Sequence, residues 1–116
     1  MLLLKSEKNV LGEDHPDTAS SYGHIGNLYG RKGDYKNAIK FCEREIAANE
    51  KVLGKDHLDT AYSYYNFATV CENHGQMKVA MDYLSRCLKI RESKLPVDHP
   101  DIRNTTELLC KWKQQL

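Results

Sequence analysis

A nine-residue segment of this chain recurs at a fixed distance. Leu11-Gly12-Glu13-Asp14-His15-Pro16-Asp17-Thr18-Ala19 returns 42 residues later as Leu53-Gly54-Lys55-Asp56-His57-Leu58-Asp59-Thr60-Ala61. It returns again, decayed, as Leu95-Pro96-Val97-Asp98-His99-Pro100-Asp101-Ile102-Arg103. Setting 11–52 against 53–94 gives 14 identities, where unrelated segments of ordinary composition would share about two or three. A period between ~20 and ~50 residues marks a stacked array, whose units bury their apolar faces only against their neighbours.

Each period holds two helical patterns. In the first copy Ala19, Tyr22, Ile25, Gly26 and Tyr29 fall three or four apart, and Tyr35, Ala38, Ile39, Cys42 and Ile46 do the same after a break at Gly33-Asp34. Ala61, Tyr64, Phe67, Ala68 and Cys71 repeat the first pattern, and Met77, Ala80, Met81, Leu84, Cys87 and Leu88 the second. Helices are predicted near 15–32, 35–52, 57–74, 77–94 and 99–114. Asp14, Asp56 and Asp98 stand where N-caps belong. Asp17, Asp59 and Asp101, three residues on, make a carboxylate variant of the capping box. Pro16 and Pro100 suit a first helical turn.

The units divide the single domain 1–116 into a partial second-type helix at 1–10, repeats at 11–52 and 53–94, and a terminal half repeat or cap at 95–116. Unmated end helices, with the Leu2–Leu4 cluster, leave open a role in self-association.

Composition narrows the partners. Lys plus Arg is 17 and Asp plus Glu 16, a net charge of +1. That balance lacks the basic excess of a nucleic-acid binder and gives no attraction to an anionic membrane. The apolar run Met1–Leu4 is far short of the ~20 residues of a membrane span. Cys42, Cys71, Cys87 and Cys110 are scattered without a Cys-x-x-Cys pair, which reads as reduced thiols in a cytoplasmic protein. His15, His57 and His99 recur at the repeat spacing, which lays them along a line instead of gathering them at one centre. They read as structural loop residues, so neither a metal nor a cofactor is expected. No nucleophile or phosphate-loop motif occurs, and an enzyme is not expected.

Tyr22-x-x-Ile25-Gly26-x-x-Tyr29-x-x-x-Gly33-x-Tyr35-x-x-Ala38 and its copy Tyr64-x-x-Phe67-Ala68-x-x-Cys71-x-x-x-Gly75-x-Met77-x-x-Ala80 resemble tetratricopeptide repeats (TPR), of the 42-residue form seen in kinesin light chains. The linker Glu50-Lys51-Val52-Leu53-Gly54-Lys55-Asp56-His57 is similar to the light-chain inter-repeat segment. The resemblance implies an all-α, right-handed solenoid whose first helices line a concave groove that holds a protein or peptide. The implied function is an adaptor or scaffold. The residues it turns inward are Ser20, Gly23, His24, Asn27 and Arg31 in the first copy. In the second they are Tyr62, Tyr65, Asn66, Thr69 and Asn73.

One position departs from the pattern. Glu45 occupies a site where the family has a small residue and copy two has Cys87. A carboxylate wedged there requires escape to solvent or a basic partner. Gly23 and Gly30 each cost a helix about 1 kcal/mol against alanine, which either a close approach of ligand backbone or simple drift would explain. Asn27 and Asn66 match two asparagines of the family's terminal-carboxylate clamp, but the clamp's cations are missing. The asparagine pairs of kinesin light chains read here as Gly23-His24 and Tyr65-Asn66, and Arg31 is the one clear inward cation.

Overall fold

A computed structural model of the protein describes residues 16–116. The partial helix 1–10, Leu2–Leu4, and the loop residues Asp14 and His15 lie outside the described residues. Among the described residues the regular structure is wholly helical: α1 Pro16–Arg31, α2 Tyr35–Val52, α3 Leu58–Asn73, α4 Met77–Lys94 and α5 Pro100–Gln114. Each helix packs on the next in chain order, and α1 also touches α3, the equivalent helix of the following unit. That connectivity is a stacked helical array.

Turns within the units follow the glycines. Gly33 and Gly75 end the first helix of each unit with φ of 83° and 81°, a left-handed conformation that only glycine adopts without strain. The chain then folds back on itself identically: Asp34 N–H donates to Tyr29 C=O at 2.9 Å, and Gln76 N–H to Cys71 C=O at 2.8 Å. Gly54, at φ 93°, closes the second helix of the first unit. The corresponding turn after α4 uses Pro96, which cannot continue a helix, and Leu95 is already extended there.

The helix starts differ from the capping scheme expected from the aspartates. The N-caps of α3 and α5 are His57 and His99, whose Nδ1 atoms accept from the Asp59 and Asp101 N–H groups at 3.0 Å. Both helices begin one residue later than an Asp cap would place them. Asp56 and Asp98 therefore fall outside, and Asp59 and Asp101 sit in the first turn, where their charge favours the positive helix end. An imidazole nitrogen does the work of a capping oxygen, so the structural reading of the recurring histidines holds at 57 and 99.

Burial keeps the same 42-residue beat. Ala19 and Ala61, Ala38 and Ala80, and Cys42 and Leu84 are all inaccessible pairs. Small residues at the crossings let the helices approach. A methyl group on Gly26 would already meet the Ala38 carbonyl oxygen at 3.2 Å. Aromatic stacks recur as well. Tyr22 and Phe41 pack beneath the Arg44 guanidinium, and Tyr64 and Tyr83 repeat the pair with Arg86 over the Tyr83 ring at 4.7 Å. Trp112 of α5 is buried in the main core with Leu109, where α5 packs on α4.

Candidate functional site

Two first-type helices and the second-type helix between them enclose a trough. Its walls are Ser20, Gly23 and His24 from α1, and Asp59, Tyr62 and Asn66 from α3. Glu45 and Asn49 of α2 form its floor. The cavity holds about 240 Å³. Helical spacing explains the walls. Ser20, Gly23 and His24 lie three or four apart on α1, as do Asp59, Tyr62 and Asn66 on α3, so each set makes one stripe.

The floor is held from below. Asn49 Nδ2 donates to Ser63 Oγ at 2.6 Å, and Ser63 in turn donates to the Asp59 carbonyl at 3.2 Å. These bonds tie the end of α2 to the start of α3, joining the floor to one wall. Thr60 Oγ1 adds a bond to the Gly54 carbonyl at 2.7 Å, anchoring the intervening loop.

Glu45 behaves in neither of the ways expected for it. It is buried, with 4% of its surface exposed, and its Oε1 has no hydrogen-bond partner among the described residues. It neither escapes to solvent nor pairs with a base. Desolvation pushes its pKa up to about 7, and polar contact from Asn66 and Ser63 offsets this only in part. Gly23 makes room for it. A methyl group on Gly23 would lie 2.8 Å from Glu45 Cδ and would collide with Oε2. The close approach at Gly23 therefore comes from the chain's own carboxylate. Gly30 is different, since a methyl group there would make only ordinary contacts, at 3.8 Å to Val70 and 3.9 Å to Ala38.

Of the residues assigned to the groove from the sequence, Ser20, Gly23, His24, Tyr62 and Asn66 come together in the trough. Asn27, Arg31, Thr69 and Asn73 lie farther along α1 and α3 and do not line it. Arg31 and Asn73 are exposed, and Thr69 Oγ1 is turned back onto the Asn66 carbonyl at 2.9 Å. Tyr65 is also outside it, half-buried with the Arg91 guanidinium 5.3 Å above its ring. Glu45, Asn49 and Asp59 were missed because two of them belong to a second-type helix and the third was assigned wholly to capping. A signal existed in the alignment of the two copies. Gly23 and Glu45 in the first become Tyr65 and Cys87 in the second, so large and small residues exchange places.

Among the described residues no three His, Cys, Asp or Glu side chains gather as a metal site, and no helix is long and apolar enough to cross a membrane. Burial pushes the Cys42 thiol up to about 12 and those of Cys71 and Cys87 up to about 11, which keeps all three protonated and unreactive.

The family model of the tetratricopeptide repeat matches residues 17–93. No curated protein matches the sequence. Among solved structures, the chain is similar to the nearly identical TPR-like repeats of a kinesin light chain-like protein of Podosopora anserina. A single-residue variant of that protein superposes with a TM-score of 0.86 at 21% identity, over 96% of this chain and 52% of the other. A second structure of the same repeats gives 0.77 at 23% identity, over 87% and 48%. This chain thus spans about half the length of those proteins, and the likeness is one of fold. With the doubled helix pair, the glycine turns and the family match over two thirds of its length, the chain belongs to the tetratricopeptide repeat family.

Proposed function

We propose that the chain is a non-enzymatic protein-interaction module that holds a peptide segment along the trough between α1 and α3. The repeat family supports protein binding in general. The observation that carries the finer reading is the trough itself. Five of the residues expected to face a ligand line one open cavity, with polar groups and the half-exposed Tyr62 ring turned toward it. Amide side chains there could bond a peptide backbone, and a tyrosine offers contact area at low entropic cost. Asn66 and His24 would orient the peptide, and Tyr62 would cover it. An adaptor of this kind suits the cytoplasm, where the buried thiols stay reduced.

The test is affinity capture with the wild-type chain and with His24→Ala/Tyr62→Ala, both exposed positions whose loss leaves the core intact. Lys78→Ala, exposed on α4, serves as the control. Partners held by wild type and by the control should be lost from the double variant while its helicity is unchanged. Retention of every partner by the double variant would show that the trough is not the binding surface.

A further inference from the structure

A buried carboxylate with an unused oxygen, at the bottom of an open trough, is an expensive arrangement that a cation would relieve. We propose that this trough is a subsite for a cationic side chain, arginine foremost, of a peptide lying along α1 and α3. This deepens the peptide-binding reading of the same surface and rests on it.

Three observations carry it. Glu45 is more than nine-tenths buried and its Oε1 lacks a partner among the described residues. Asp59 places a second carboxylate at the mouth, and no lysine or arginine is among the described residues that line the cavity. The second copy of the repeat then supplies an internal precedent. Residue 91, the counterpart of Asn49, is an arginine. Its guanidinium is buried, donates to Thr105 Oγ1 at 2.7 Å, lies 5.3 Å from the Tyr65 ring, and acts on Cys87, the counterpart of Glu45. The repeat geometry thus already houses a guanidinium at this level. In the first copy Asn49 is too short to reach the same place and Gly23 offers no ring, which leaves space above Glu45. With the Glu45 side chain turned up into the cavity, a guest guanidinium would meet its carboxylate with a charge-assisted bond, and the exposed ring of Tyr62 would flank its stem.

The probes are four N-acetylated pentapeptide amides, Gly-Gly-X-Gly-Gly, with arginine, lysine, leucine or glutamate at the centre. Each is titrated into the full chain at low salt and slightly alkaline pH while backbone amide resonances are followed. The arginine and lysine peptides should shift the amides of 20–24 and 62–66 saturably, with arginine binding roughly tenfold tighter than leucine or glutamate, the scale of one charged hydrogen bond. Glu45→Gln should bring arginine down to the leucine level. Asp59→Asn, at an exposed position, should weaken arginine by about two- to threefold. Comparison of the four peptides on the wild-type chain needs no variant and stands even if Glu45→Gln folds poorly. Arginine binding no better than leucine or glutamate, or unchanged by Glu45→Gln, overturns the proposal. If leucine or glutamate saturates the same amides equally well, the trough still binds peptides and only its charge preference falls. If no peptide moves those amides, the subsite and the peptide-binding reading fall together.

Discussion

Gly23 and Glu45 are matched in size across the contact of α1 with α2: the absent side chain of one is the space that holds the carboxylate of the other. In the next unit the same two levels carry Tyr65 and Cys87, with the bulk on the opposite partner. The exchange means that neither residue can be judged alone.

The first prediction is a coupling. In the wild-type background Gly23→Ala forces Glu45 out of place and lowers stability, despite alanine's better helix propensity. In a Glu45→Cys background the same substitution meets no obstacle and raises it. The two effects should differ by about 2 kcal/mol. Urea unfolding of the four proteins measures the difference, and simple additivity would refute the matched-pair account.

The Glu45 carboxyl makes stability depend on pH in a direction opposite to that of a salt-bridged acid. Its folded pKa of about 7 lies above the ordinary value of 4.5. Between those two values the folded state binds the extra proton. The contribution is fully present below 4.5 and is lost as pH rises through about 7. Relative to Glu45→Gln, wild type should therefore gain stability as pH falls from 7.5 to 5, by about 2 kcal/mol. Denaturant midpoints of both proteins across that window give the difference curve. A flat curve would mean that the carboxylate is hydrated after all.

Gly30 occupies a helical position with room for a methyl group and no positive φ. Gly30→Ala should stabilise the chain by about 0.5–1 kcal/mol, through helix propensity and a less flexible unfolded state. Thermal melting checks this, and a lower midpoint would show that the contacts at Val70 and Ala38 cannot yield.

His57 caps α3 through Nδ1, so His57→Ala should remove about 1 kcal/mol while His57→Asp, which offers an oxygen to the same N–H, should keep most of it. The comparison is made at neutral pH by urea unfolding. Equal losses in both would separate the imidazole from the cap.

The fold was legible because a 42-residue period forces equivalent residues into equivalent places. Ala19 with Ala61, and Gly33 with Gly75, determine crossings and turns whatever the surface does. The helix starts were read one residue early because Asp is a stronger general cap than His. Nothing local in Asp-His-x-Asp says which of the two acts. Five of the residues along the trough's walls are among those the family resemblance turns inward. Its floor was not legible, because whether Glu45 faces a neighbour or solvent depends on what stands at position 23, on another helix. Tyr65 lies outside the cavity for a similar reason. Its partner Arg91 lies 26 positions away in sequence, on α4.

The polar fastening of the stack carries its own implication. Asn49 bonds Ser63, and Arg91 bonds Thr105, each reaching from the second helix of one unit to the first helix of the next. The duplication in sequence and the bonded blocks in space are therefore out of step by one helix. A cut at residue 53, where the copies join, would strip the buried Asn49 amide of its acceptors. A dissection that respects the molecule would keep α2 joined to α3 as well as to α1, because the polar bonds cross the joint that the alignment marks.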